Sequence, residues 1–157
     1  MTLTDQVKFL QKAAIIYNGK VLILKRSKKN AKYRPGKWDL PGGNVEWPET
    51  NQSQTNLHQM EIVRELQEEV GFSFEPGNFI DENLVHFTTY FEAEIPRYAI
   101  ICGWRVKIDY EFDPSDLTLS DEHTEMAWVG LDELENYDFG EPVGTYVKTI
   151  IQKALKE

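Results

Sequence analysis

From Phe9 to Tyr17 the chain is apolar and rich in β-branched isoleucine. Asn18-Gly19 interrupts the run, and Val21 to Leu24 resumes it. Asn-Gly between two such runs predicts a hairpin, because both central turn positions need positive φ. Residues 28–37 read as loop. Trp38-Asp39-Leu40 reads as a short extended piece that Pro41-Gly42-Gly43 stops. The stretch 50–56, Thr-Asn-Gln-Ser-Gln-Thr-Asn, holds neither an apolar side chain nor a charge. Such residues bond their own backbone and predict a loop there, with a helix starting near Leu57. Apolar residues at 57, 60, 63, 66 and 70 then recur at helical spacing. Asn56 and Gln59 suit a capping pair at the helix start, and Gly71 suits a C-cap. Leu84 to Ala93 and Tyr98 to Ile108 predict two strands, turned by Glu94-Ile95-Pro96-Arg97. Met126 to Val129 reads as a further strand, Leu131 to Tyr137 as a short helix, and Pro142 to Lys156 as a terminal one. This order predicts an α+β fold, a mixed sheet with helices packed on it.

The 157 residues suit one domain spanning 1–157, large enough to fold without disulfides. The single cysteine, Cys102, lies in an apolar run and reads as a buried, inert thiol. No apolar run approaches the ~20 residues of a membrane span, and the first residues lack the order of a signal peptide. The expectation is a cytoplasmic protein that does not engage membranes. Net charge is −9. It is unevenly spread: residues 1–37 sum to +9, while 38–106 and 107–157 sum to −9 each. The acidic total argues against extended nucleic acid as a partner. Seven Lys/Arg between Lys25 and Lys37 make either a solvated loop or a patch for a small polyanion.

At ~100° per residue, Glu61, Glu65, Glu68 and Glu69 share one stripe of the predicted helix. Like charges at i,i+4 cost a helix ~0.2–0.5 kcal/mol per pair, so a solvated face gains nothing from them. A site for a hard cation does, since Mg²⁺ and Mn²⁺ prefer oxygen ligands. The surrounding pattern is Gly43-x5-Glu49-x14-Arg64-Glu65-Leu66-x-Glu68-Glu69-x-Gly71-Phe72. It resembles the Nudix box, in which seven rather than fourteen residues separate the Glu from Arg-Glu. The second half matches at every defined position. Seven additional residues and Pro48, where the family usually has glycine, set the first half apart.

The resemblance implies an α/β/α sandwich and a metal-dependent hydrolase of a nucleoside diphosphate linked to another group. It implies Gly43, Glu65, Glu68 and Glu69 as ligands of Mg²⁺ or Mn²⁺, with Arg64 orienting the carboxylates. The general base is either a Glu of the helix, such as Glu65, or one of the later acidic loop, where Glu122 is the favoured ligand or base, with Glu125 behind it. Arg26 is expected to contact phosphate, and Trp38 and Tyr90 are candidate stacking residues for a base. His123 reads as structural. The substrate could be a nucleoside triphosphate, a dinucleoside polyphosphate, a nucleotide sugar or ADP-ribose. A catalytically silent nucleotide sensor is the alternative, and a homodimer stays open.

Overall fold

A computed structural model describes residues 6–93 and 96–156. Strands β1 (Lys8–Tyr17) and β2 (Lys20–Arg26) form the expected hairpin, with Asn18 at φ 50° and Gly19 at φ 76°. The other strands are β3 (Trp38–Asp39), β4 (Gly42–Asn44), β5 (Leu84–Glu92), β6 (Arg97–Lys107) and β7 (His123–Val129). Helix α1 is Leu57–Val70 and α2 is Thr145–Leu155, and Leu131–Asn136 forms a 3-10 helix. One mixed sheet runs β3-β2-β1-β6-β5, with β4 added to β1 and β7 to β2. Among the described residues only β1 and β6 run parallel.

Alternation along the strands sends side chains to two cores. Ala13, Ile15, Leu22, Leu24 and Trp104 pack against Ile62, Leu66 and Val70 of α1. Ala14, Ile16, Val21, Ile23 and Ile101 pack against Val147, Ile150 and Ile151 of α2. Helices therefore cover both faces, and the fold is the expected α+β sandwich. Among the described residues no helix is long and apolar enough to cross a membrane.

Helix α1 starts and ends where the sequence places it. Gly71, at φ 70°, donates its N–H to the Gln67 carbonyl as a C-cap. The cap at its start differs from expectation. Asn56 adopts φ 58° and makes no side-chain cap; only its carbonyl accepts, from the Gln59 N–H. The buried stripe also differs. Met60 is 60% exposed, while Ile62 is fully buried. The terminal helix begins at Thr145 rather than Pro142. Residues 50–56 form an exposed loop, bonded through side chains only within themselves by Thr50 Oγ1. Glu94 and Ile95 of the expected turn lie outside the described residues.

The feature that positions the site is a split in the sheet. β1 and β2 pair only at Ile16–Val21 and Tyr17–Lys20. Farther from the turn they diverge. β1 takes β4 as its neighbour at Leu10 to Lys12, and β2 takes β3 at Leu24 and Lys25. The segment 38–44 fills the gap, held by the Ala13 N–H on the Pro41 carbonyl and the Val45 N–H on the Phe9 carbonyl.

Candidate active site

A cavity of about 560 Å³ opens beside this split. One wall is acidic. Helix α1 delivers Arg64, Glu65, Glu68 and Glu69 to it, and β4 delivers Gly42 and Gly43. Gly42 sits at φ +129°, and a Cβ there would come within 2.1 Å of the Gln11 carbonyl oxygen, so no side chain fits. A Cβ on Gly43 would stand 3.0–3.2 Å from the Glu65 carboxyl. Glycine at 43 thus lets that carboxyl lie against the backbone.

Arg64 fans across three acids, donating at 2.8 Å to Glu61, 2.8 Å to Glu68 and 3.3 Å to Glu65. Glu69 is 5% exposed and accepts the Gly42 N–H at 2.7 Å. Burial pushes its pKa up to about 8, against the pull of Lys12 and of the Gly42 N–H. Burial also raises Glu65, with Arg64 opposing.

The loop before β7 closes one side. Ser120 donates its N–H to the Glu69 carbonyl, and the Ser27 N–H bonds the Glu122 carbonyl. Ser120, Asp121 and Glu122 all line the cavity. Glu125 lies outside that lining, paired with Lys25 at 3.1 Å. His123 is buried, and burial, helped by Lys12, pushes its pKa down to about 4. It is an interior side chain outside the cavity lining.

Lys8, Lys12, Arg26 and Lys32 make another side of the lining basic, and behind them lies Asp39, which is fully buried. Its Oδ2 accepts from Lys12 at 3.0 Å, Arg26 at 3.1 Å and Arg34 at 2.9 Å, and its Oδ1 from the Leu40 N–H at 2.8 Å. Burial alone would raise its pKa. Lys12, Arg34 and Arg26 outweigh burial and hold it well below the usual carboxylate range. Arg26 also donates through Nε to the Tyr33 carbonyl at 2.6 Å.

Of the residues expected from sequence, Arg26, Gly43, Arg64, Glu65, Glu68, Glu69 and Glu122 meet around one cavity. Trp38 and Tyr90 do not line it. Trp38 packs edge-on against Tyr137 at 5.1 Å, in the core beneath α2. Tyr90 stacks on Tyr146 at 6.4 Å and lines two smaller pockets. Glu49 is exposed and lies away from the cavity. Sequence reasoning passed over Lys12 and Asp39. The available signal was Gln11-Lys12, two polar residues inside an otherwise apolar strand. Gln11 also has a partner, accepting the Trp104 indole N–H at 3.0 Å.

Among the described residues, no three His, Cys, Asp or Glu side chains converge into a ready metal cage. Arg64 and the Gly42 N–H hold the carboxylates as they stand. The donor chemistry nevertheless fits a hard divalent cation: carboxylate oxygens share one cavity with the Gly43 backbone, Glu69 is buried and Glu65 half-buried, and burial raises the pKa of both.

The profile of the NUDIX domain family matches residues 10–147. Among solved structures, a MutT NUDIX hydrolase from Burkholderia pseudomallei is 23% identical, with a TM-score of 0.66 over 94% of this chain and 98% of that one. A MutT protein from Methanosarcina mazei Go1 is also 23% identical, with a TM-score of 0.67 over 94% and 92%. A NUDIX hydrolase from Nitrosomonas europaea is 20% identical, with a TM-score of 0.65 over 93% and 86%. At these identities the likeness is one of fold. No curated protein matches the chain.

Proposed function

This chain belongs to the Nudix hydrolase family, and from that premise we propose that it is a metal-dependent pyrophosphohydrolase acting on a small nucleotide. The observation that carries this reading is the meeting of four separate segments, Arg26, Gly43, the 64–69 turns of α1 and Glu122, around one cavity. Glu65, Glu68, Glu69 and the Gly43 carbonyl would hold Mg²⁺ or Mn²⁺. When bound, such a cation neutralises phosphate oxygens and lowers the pKa of water. Arg64 sets the direction of the Glu65 and Glu68 carboxylates. Glu68, the more exposed of the two, has the freedom to turn from Arg64 toward a ligand. Glu122 lies at the cavity as the base that takes the proton from the attacking water. Arg26 uses two of its five donors internally and offers the others to a phosphate.

The test is release of phosphate or pyrophosphate from a panel of nucleoside triphosphates, dinucleoside polyphosphates, nucleotide sugars and ADP-ribose. Hydrolysis that needs Mg²⁺ or Mn²⁺ and collapses in Glu69→Gln is expected. Nucleotide binding without any turnover would instead favour a silent sensor.

A further inference from the structure

Beyond Arg26 and the acidic helix, a second group of cations surrounds Tyr33. Lys8 Nζ lies 5.1 Å from the centre of its ring, Arg97 Cζ 5.2 Å and Lys32 Nζ 5.5 Å, all within cation–π reach. A ring has two faces, so at least two of these like charges share one. They come from three places far apart in the chain: the start of β1, the loop after β2 and the start of β6. A small pocket of about 60 Å³ lies here, and it shares Lys8, Lys12, Arg26 and Tyr33 with the large cavity.

The charge of this pocket is unbalanced. Lys8, Lys12, Arg26, Arg34 and Arg97 line it, against Asp39 and Glu92 among the described residues. Asp39 is already shared by three of the cations. Glu92 reaches Arg97 only at 3.5 Å. The buried Nε of Arg97 has no hydrogen-bond partner among the described residues. The cations also press on one another: burial first, and then Arg97, lower the pKa of Lys8 to about 8. Such a local excess in a chain of net charge −9 calls for an anion. The volume, room for about two waters, excludes a nucleobase and suits one small anionic group.

We infer that this basic pocket binds a phosphate group that is not part of the scissile pyrophosphate. The inference rests on the proposed hydrolase reading and deepens it, since the substrate then carries at least one further phosphate. Nucleotide sugars and ADP-ribose, which have none, become poor substrates. The further phosphate sits either on a longer phosphate chain or as a monoester elsewhere on the molecule.

Titrating the full chain with inorganic pyrophosphate in EDTA tests the pocket without relying on turnover. Without a cation the acidic wall repels the probe, so the basic wall alone is read. Wild type is expected to bind, and added salt to weaken it. Lys8→Ala and Arg97→Ala should each raise Kd at least about ten-fold, the equivalent of ~1.4 kcal/mol. Lys32→Ala, on an exposed loop residue, provides a variant with little bearing on folding and should raise Kd by a smaller factor. Glu68→Gln should leave binding unchanged or tighten it. Failure of wild type to bind, or a Kd that none of the three cation variants alters, overturns the inference. Competition then separates the sources. Displacement by a nucleoside triphosphate that is better than by the 5′-monophosphate indicates the chain. Better displacement by a nucleoside 3′,5′-bisphosphate indicates the monoester. Equal displacement by all three overturns the substrate class. A chain that binds pyrophosphate in this way but hydrolyses no nucleotide would refute the hydrolase reading and leave the anion pocket standing. A hydrolase whose pyrophosphate affinity ignores Lys8 and Arg97 would do the opposite.

Discussion

Asp39, buried behind the basic side of the cavity, and Glu69, buried on its acidic wall, are two carboxyls whose environments drive them in opposite directions. Asp39 gathers Lys12, Arg26 and Arg34 and stays ionised. Glu69 has one backbone N–H, sees Lys12 at longer range and shares its wall with Glu65, so its pKa rises to about 8. Burial is nearly the same for both, so the partners decide. Asp39 is a compensated charge that fastens the loop 26–39 to the sheet. Glu69 is an uncompensated one, which a cation would complete. On the proposed reading a cation completes the acidic wall, while Lys12, Arg26 and Arg34 are already anchored on Asp39.

The strongest way to break this contrast is to neutralise each carboxyl in turn. Glu65→Gln or Glu69→Gln should lower kcat by about a thousand-fold, ~4 kcal/mol of barrier, in a steady-state assay. Their melting temperatures should hold or rise, because repulsion within the wall is relieved. Asp39→Asn should do the reverse and unfold more easily by about 3–5 kcal/mol in a urea titration, because it strands three cations that share one buried partner. Equal loss of stability in both variants would erase the distinction.

His123, buried and paired with Arg26 in the sheet, sharpens the contrast by pH. Its folded pKa of about 4 lies below the ordinary 6.5, so between these values the unfolded chain binds the extra proton. The stabilisation is therefore complete above pH 6.5 and is lost as pH falls toward 4, by at most about 3 kcal/mol. His123→Phe should flatten that slope when urea midpoints at pH 4.5 and pH 7 are compared. The smallest effect belongs to the loop. Deleting residues 50–56, whose side-chain bonds stay within the segment, should change stability by less than about 1 kcal/mol. Metal-dependent hydrolysis should survive. A folded deletion protein without activity would place the loop in the site.

The parts of this molecule legible in sequence are those where neighbours in the chain are neighbours in space. Asn18-Gly19 announced its hairpin, the polar run 50–56 its loop, and Gly71 the end of α1. The carboxylates of α1 share a face by helical period alone. The Asp39 cluster was hidden because its cations stand at 12, 26 and 34 on different elements, and only strand pairing brings them together. The same reason puts Trp38 and Tyr90, expected as stacking residues, outside the lining of the large cavity. An aromatic residue in a strand goes wherever register sends it, and both lie toward α2. Met60 misled for a related reason. The apolar spacing allowed two neighbouring stripes, and docking on the sheet chose the one through Ile62.

The parallel pairing of β1 with β6 has a consequence for assembly. Lys8 stands beside Ala99 and Ile16 beside Lys107, so this ladder closes a loop containing most of the chain. The hairpin and α1 need only local contacts, but this ladder must bear the entropy of a long closure and is the slow step expected in folding. Lys8 and Arg97 are separated until it closes, whereas the carboxylates of α1 are together as soon as the helix winds. During synthesis the carboxylates of α1 can therefore be together before Arg97 joins Lys8, and the Tyr33 pocket is complete only after β6 has left the ribosome. Quenching of a fluorescent anion at the Tyr33 pocket would then time the last event of folding, not the first.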